Sequence, residues 1–388
     1  MAPTQTRLRS LPHLRELDGV RGIAALLVFF HHICSASIQP EHWGPGVRWL
    51  QSFFLGGTVG VDIFFVLSGF LITSLLIRDR ESPSYYRDFY WKRALRILPV
   101  YFACLLGILL FIPGSRGYVL LAALFIANFA NVFHIEPAGP FWSLAVEEQF
   151  YLIWPTLVRR RSVHQLRNWA IGIIGTVILL RVIAAGFGHH NYHITPMLCD
   201  ELAAGALLAC GFERRQRENL KSSAHDPLFI AALVIGLLLF FLSNLPPISQ
   251  QLAIAATIYQ TATMLLCAAA IGLIISHTES KLLGFLRSRV LTFFGLISYA
   301  FYMVHTYVMQ VYDRMRPLTA GDTPAYATRL VIVLAITIVV CLLSRYLIEL
   351  PAQSLRKRVL KPRLVETSEP AAARQNHTLI PRESQPAD

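Results

Sequence analysis

The sequence predicts an all-α fold, a polytopic bundle of about ten transmembrane helices with one further re-entrant element. Two observations predict it. The 388 residues are 54% hydrophobic and only 15% charged, with a mean hydropathy of +0.50, whereas soluble domains carry about 25% charged residues. In addition, the apolar residues form runs of membrane-spanning length that short basic clusters separate. The chain is therefore expected to be an integral membrane protein.

Ten apolar runs account for the predicted crossings. They cover residues 19–37, 58–77, 97–112, 143–158, 168–187, 194–212, 227–242, 252–276, 290–312 and 326–348. Residues 39–57 are expected to be a polar loop, and residues 78–96 a charged and aromatic connection. The run at 118–133 contains Asn128 and Asn131, and by itself it is compatible with either a crossing or a re-entrant helix.

The basic clusters choose between these two topologies. With ten crossings and a re-entrant 118–133, the clusters at 159–161, 214–221, 281–289 and 356–363 all fall on the side of the N-terminus. The positive-inside rule makes that side cytoplasmic. The net charge of +12 thus indicates orientation in a bilayer, and nucleic acid is not an expected partner.

Three segments divide the chain. Residues 1–13 are expected to be a cytoplasmic N-terminal segment, without a cleavable signal pattern. Residues 14–358 form the membrane domain. Residues 359–388 are expected to be a disordered cytoplasmic tail, rich in Pro, Ser and Glu beyond Val365. The six cysteines lie mostly within apolar runs and lack metal-type spacing, so no metal site is predicted.

Paired carboxylates stand inside one of the apolar runs. Glu147 and Glu148 are adjacent, and Ser143 precedes Glu147 by about one helical turn. Carboxylates at bilayer depth are costly and usually face a cavity, a partner or a substrate path. The alternatives are a structural ion pair or carboxylates at the membrane interface.

Other polar groups in apolar runs divide by depth. Arg21 and His32 are eleven residues apart, which puts them on nearly one helix face and about 16 Å apart along the axis. Basic groups are predicted near the inner side, namely Arg21, Arg93 and Arg96. Groups predicted in the outer half are His32, Asp62, Ser143, Glu147, Arg181, Asp200 and His305. This division suggests a two-sided active site, with arginines that favour phosphate recognition on the inner side.

Each of these groups also has a purely structural interpretation. A membrane histidine can serve as a hydrogen-bonding group between helices. Arg93 and Arg96 can be anchors that reach lipid phosphates. Asp62 can pair with a buried arginine, and Arg181 can pair with Asp200, since both lie at similar depth on neighbouring helices.

Several motifs in order resemble a known family. They are LDGVRG at 17–22 followed by His32, GVDIFFVLSGF at 60–70, RALR at 93–96, FWSLAVEEQFY at 141–151, GLISYAFYMVH at 295–305 and IELP at 348–351. Over residues 14–358 the chain resembles the acyltransferase-3 family of integral-membrane O-acyltransferases, which modify surface polysaccharides and related glycans.

The resemblance implies a reaction and its partners. An acyl group, most simply acetyl, would pass from cytoplasmic acyl-CoA to a hydroxyl of a glycan or glycolipid acceptor at the bacterial cytoplasmic (inner) membrane. Acyl-CoA is then a donor substrate, and no permanently bound cofactor is expected. A rival of another class is a proton-coupled transporter of an anion or acyl precursor, which buried His, Asp and Glu would also suit.

The resemblance also implies roles for the candidate residues. The expected general base is His32, because its unperturbed pKa is near 6.5; a covalent route in which His32 is itself acylated stays open. Asp62 or Glu147 would orient its ring, and Ser143 would position substrate. The donor phosphates are assigned to Arg93 and Arg96, with Arg21 steadying either the donor or the end of the first helix. The expected substrate-binding residues are Glu148, Asp200 and His305.

The chain departs from the family pattern at two places. Leu198 stands where the family often has an arginine, so Arg181 becomes the expected partner of Asp200. Leu350 replaces a basic residue of the closing motif. Larger relatives carry a fused esterase-like domain, and no such second catalytic step is expected of the 388 residues considered.

Overall fold

The computed structural model describes residues 14–35, 45–189, 193–317 and 322–359, and the regular secondary structure of these residues is helical, with no strand. The predicted N-terminal segment 1–13 and all of the predicted tail except residue 359 lie outside the described residues. The helices are α1 Arg15–Ser35, α2 Pro45–Leu55, α3 Val59–Arg78, α4 Tyr85–Phe111, α5 Arg116–Ala123, α6 Phe141–Arg160, α7 Val163–Gly186, α8 Cys199–Arg217, α9 Asp226–Asn244, α10 Leu252–Ser276, α11 Arg289–Met315, α12 Thr323–Ser344 and α13 Leu350–Val359.

Eight helices of the described residues are long and apolar enough to cross a membrane. They are α1, α3, α4, α7, α9, α10, α11 and a continuous helical stretch from α12 into α13. The 20-residue α6 and the 19-residue α8 carry more charge, yet each is about 30 Å long, the thickness of a hydrocarbon core. The polytopic, all-helical character of the prediction is confirmed.

Two local predictions need revision, and a third, the segment at 118–133 predicted not to cross, agrees with the helix found there. The expected polar loop at 39–57 contains α2. The third crossing begins at Tyr85 and not at residue 97, because the charged segment before it continues the same helix, so Arg93 and Arg96 are helical. Within 118–133 the only α-helix is the end of α5, eight residues long in total, and about 12 Å of helix cannot cross a bilayer.

The parallel pair α1 and α11 forms the centre of the bundle. A Cβ at Gly22 would overlap the Leu291 carbonyl, and one at Gly295 would overlap the Asp18 carbonyl. The missing side chains therefore let the two backbones touch, as small residues do between membrane helices. The α3 helix packs on α1 in the opposite direction, with Gly60 against the Ala24 carbonyl.

A second pair of helices, α3 and α8, makes the same kind of contact. Gly69 lies against the Leu202 carbonyl and Gly205 against the Val66 carbonyl. These helices also run parallel, because Asp62 lies beside Glu201 near the starts of both. Other direct neighbours include α7 with α8, α9 with α10, and α11 with α12. In α1, α3, α8 and α11, direct backbone contact therefore sets the distance between neighbouring helices.

The two ends of the bundle are tied by different polar contacts. At one end, Arg287 pairs with Glu16 at 3.2 Å and Arg215 donates to Ser276 at 3.3 Å. At the other end, Arg329 pairs with Asp313 at 2.7 Å. The first end contains the starts of α1 and α11 and the ends of α6 and α8, where the basic clusters lie. We call it the basic end.

Candidate active site

Two histidines meet across the central helix pair. His305 Nε2 of α11 lies 3.3 Å from His32 Nδ1 of α1, and the ring centroids are 5.0 Å apart. The parallel register that brings Phe29 against Phe301, with centroids 5.4 Å apart, brings these rings together one turn later. Two predicted site residues from opposite ends of the chain thus form one unit.

Backbone carbonyls determine which ring nitrogens carry protons. His305 Nδ1 lies 3.0 Å from the Phe301 carbonyl, and His32 Nδ1 lies 2.9 Å from the Val28 carbonyl. A carbonyl can only accept, so both Nδ1 atoms carry hydrogen and His305 Nε2 is an acceptor. His32 therefore shares its Nδ1–H between Val28 and His305, and its neutral ring has the basic lone pair on Nε2.

This arrangement corrects the predicted orientation of His32. Nδ1 is held by Val28 and His305, whereas the prediction gave this position to Asp62 or Glu147. The neighbouring His31 turns toward α2, with Nδ1 3.3 Å from the Phe54 carbonyl. The structure thus separates two histidines that sequence spacing barely distinguishes.

Ser143 joins the histidine pair through a tyrosine. Its hydroxyl is 2.7 Å from the Tyr302 hydroxyl and donates to the Pro140 carbonyl at 3.1 Å. Tyr302 lies one turn before His305, and the two ring centroids are 6.1 Å apart. These contacts hold the Ser143 hydroxyl between α6 and α11, and its predicted positioning role stays a prediction.

The paired carboxylates of α6 hold one arginine. Arg93 donates to Glu148 at 2.7 Å and to Glu147 at 3.2 Å, and its guanidinium lies over the Tyr151 ring, 3.8 Å from the centroid. Ser68 of α3 donates to the second Glu147 oxygen at 3.0 Å. The Arg93 side chain is only 12% exposed, so this arginine joins α3, α4 and α6 and is mostly committed to two carboxylates.

A basic cavity of about 460 Å³ opens near the basic end between α1, α4, α11 and the segment after α12. Its lining includes Arg21 and Arg96, as the resemblance implied, but not Arg93. The charged side chains that line it are Arg21, Lys92, Arg96, Arg345, Asp18 and Glu349. Four cations face two carboxylates there, which suits an anionic ligand.

The basic cavity and the histidine pair share the same two helices. On α1, Arg21 lines the cavity and His32 lies about 16 Å farther along the axis. On α11, Ser298 lines the cavity and His305 lies about 10 Å farther along. The histidine pair therefore lies about 10–16 Å along the helix axes from the cavity-lining residues of the same two helices.

Asp200 and Asp62 lie in a separate buried cluster. Arg181 and Asp200 form a two-pronged ion pair, with distances of 2.9 and 2.7 Å, and both side chains are fully buried. The Arg181–Asp200 pair expected at the Leu198 departure is thus confirmed. Asp62 lies beside Glu201 and Thr263. Asp200 exposes no surface to which a substrate could bind, so its predicted substrate-binding role stays a prediction.

Sequence reasoning missed several groups at these sites, four of which are Tyr302, Lys92, Ser68 and Arg345. Tyr302 lies inside the quoted GLISYAFYMVH motif, three residues before His305, and could have been found there. Lys92 directly precedes Arg93, and Ser68 lies in the GVDIFFVLSGF motif. Arg345 had no signal of its own in the chain.

Comparison with known proteins assigns the family. The model of an acyltransferase domain, acyltransferase-3, matches residues 14–346. The chain belongs to the acyltransferase-3 family. The match includes both histidines and every cationic residue of the basic cavity.

Three curated relatives illustrate the similarity. A Bacillus subtilis protein, YrhL, provisionally named a peptidoglycan O-acetyltransferase, is 27% identical over 88% of this chain and 55% of its own length. The peptidoglycan O-acetyltransferase OatA of Listeria monocytogenes is 24% identical over 89% of this chain and 57% of its length. A provisionally named O-acetyltransferase of Staphylococcus aureus is 25% identical, over 89% and 58%.

The chain thus spans somewhat more than half the length of the curated relatives it matches. No solved structure matches it.

Proposed function

We propose that this chain is a membrane O-acyltransferase that moves an acetyl group from acetyl-CoA to a hydroxyl of a cell-wall or surface glycan. The observation that carries the proposal is the placement of a basic cavity and a histidine pair on one pair of parallel helices. The names of the relatives make peptidoglycan the first acceptor to test. Membership of the family favours group transfer over the transport alternative.

The proposed donor site is the basic cavity. Arg21, Lys92, Arg96 and Arg345 line it and would bind the nucleotide phosphates of acyl-CoA, because arginine forms strong charge-assisted bonds to phosphate. Arg93 does not belong to the lining, so this proposal gives it a supporting role. The long pantetheine arm would run along α1 and α11 and bring the thioester to His32.

The proposed chemistry uses the His32 tautomer described above. His32 Nε2 takes the proton from the acceptor hydroxyl while the oxygen attacks the thioester carbonyl. The tetrahedral intermediate then collapses, the C–S bond breaks, and the CoA thiolate recovers the proton from the imidazolium. The Nδ1–H group of His32 stays hydrogen-bonded to the Val28 carbonyl and His305 Nε2, and these acceptors stabilise the transient positive charge on the ring.

In the proposed topology, the basic end faces the cytoplasm. Ten helices (α1, α3, α4 and α6 to α12) would cross a bacterial inner membrane, and α5 would enter only part of it. This orientation places the donor cavity on the side where acyl-CoA is made, and the histidine pair in the outer half, near an acceptor outside the cell.

The first test is transfer of labelled acetyl from acetyl-CoA to membrane glycan fractions, including peptidoglycan. Membranes with His32→Ala are compared with His31→Ala at matched expression. We expect the His32 variant to lose about 100-fold or more, as for a general base, while His31→Ala keeps most activity.

Three outcomes would change the proposal. Full activity of His32→Ala would show that His32 is not the general base. Failure of the wild type to label any glycan fraction would remove the donor–acceptor assignment. Labelled protein that forms with donor alone in rapid-quench experiments would replace direct transfer by a covalent route.

A further inference from the structure

An irregular helical turn forms part of the donor cavity. Residues Arg345–Glu349 form a π-helix between α12 and α13, and the Leu350 amide reaches back to the Arg345 carbonyl. Pro351 has no N–H to give to the carbonyl four residues before it. Such π turns are rare in proteins, and those that occur often lie at functional sites.

The side chains of this turn face the basic cavity. Arg345, Glu349 and Gln353 all contribute to its lining, and α13 packs against α4, the helix that carries Arg96. Glu349 is only 8% exposed and lies close enough to Arg345 and Arg96 to interact with both charges. The family match ends at residue 346, so it does not include Glu349 and Gln353.

Among the side chains that line the cavity, cations outnumber carboxylates by two, and one of these cations, Lys92, also lies 3.5 Å from Asp79 outside the lining. In such a site, the negative charge of Glu349 offsets part of the positive potential that would attract a bound phosphate. Removal of its charge should therefore strengthen anion binding, and removal of the Arg345 charge should weaken it.

We propose that Arg345–Gln353 is a donor-binding element in which Arg345 binds phosphate and Glu349 acts as an internal counter-anion that limits donor affinity. This inference rests on the proposed function for the identity of the donor. It adds residues of the last helical segment to the donor site. It also assigns opposite effects on donor affinity to the neighbouring side chains Arg345 and Glu349.

The test measures the dissociation constant for CoA of the full chain purified in neutral detergent. The variants are Arg345→Gln and Glu349→Gln, and the control is Arg160→Gln, an exposed arginine that does not line the cavity. We expect Arg345→Gln to raise Kd about tenfold, the size of one charge-assisted bond, Glu349→Gln to lower it severalfold, and the control to leave it unchanged.

The opposite signs distinguish this role from a structural one. If both variants weaken binding, or if neither changes Kd, the inference is wrong. Thermal melting of each variant checks folding; where Arg345→Gln does not fold, Arg345→Lys and Glu349→Gln carry the test. Loss of CoA binding on addition of phosphatidylglycerol would assign the cavity to lipid headgroups and overturn the inference.

Transfer assays separate the two proposals. A wild type that binds CoA and acetylates glycan, with Kd insensitive to Arg345 and Glu349, would overturn this inference alone. A wild type that binds no CoA would overturn the proposed donor as well.

Discussion

At the scale of residues, neighbouring arginines of one motif have different surroundings. Arg93 lies between Glu147 and Glu148 with its side chain 12% exposed. Arg96, one turn later, is exposed and lines the basic cavity. The same residue type thus joins helices in one position and is available to a ligand in the other.

This difference predicts separate consequences for the two arginines. Arg93→Gln leaves two mostly buried carboxylates without their cation, so we expect a loss on the order of 3 kcal/mol of stability, seen as a lower melting temperature in detergent. Arg96→Gln should keep the melting temperature and raise KM for acetyl-CoA. An Arg93→Gln protein that melts like the wild type and shows only a raised KM would contradict the ion-pair role.

At the scale of elements, the contact between α1 and α11 decides the geometry of the histidine pair. The Gly22 and Gly295 backbones meet the opposite helix directly, and the register of this contact brings His32 to His305 about 15 Å farther along. Close helix packing at one end is thus coupled to ring positions at the other.

We therefore expect Gly22→Val to impair both folding and transfer. The new side chain would overlap the Leu291 carbonyl, and overpacking of this kind costs about 1–3 kcal/mol. Any shift of α1 that relieves it moves His32, and a displacement of about 1 Å can cost on the order of 100-fold in rate. Melting temperature and acetyl transfer check the result.

The matched control is Gly175→Val on α7, where an added Cβ meets nothing within 4 Å. It makes the same substitution in a membrane helix without the backbone contact. Equal behaviour of the two variants would contradict the role of the α1–α11 contact.

At the scale of the whole molecule, charge and chemistry are separated along the bundle axis. The basic clusters and the donor cavity lie toward one end, and the histidine pair lies toward the other. This polarity gives the proposed reaction its direction, from a cytoplasmic donor to an outer acceptor.

Cysteine labelling tests the proposed orientation. Glu136→Cys, in the exposed loop before α6, should react with a membrane-impermeant maleimide in intact spheroplasts, whereas Arg160→Cys at the end of α6 should react only after permeabilisation. The parent chain with its six native cysteines measures the background. Labelling of Arg160→Cys in intact spheroplasts would contradict the proposed orientation and support the opposite one.

Much of the architecture followed from the sequence, because local chemistry determines it. Apolar runs separated by basic clusters predicted a polytopic helical protein, and the bounds of α10 were predicted to the residue. The motifs predicted the acyltransferase-3 family, and the Leu198 departure predicted the Arg181–Asp200 pair. Each of these depends on short stretches whose composition has one physical interpretation.

Tertiary structure decided what the polar groups do. A carboxylate in an apolar helix has the same periodicity whether it faces a substrate or an arginine, so only the fold could place Glu147 and Glu148 on Arg93. His32 and His305 are 273 positions apart, and no local pattern encodes their contact. The Arg345 turn reaches the donor cavity for the same reason: its neighbours there, Arg21 and Arg96, come from distant parts of the chain that only helix packing brings together.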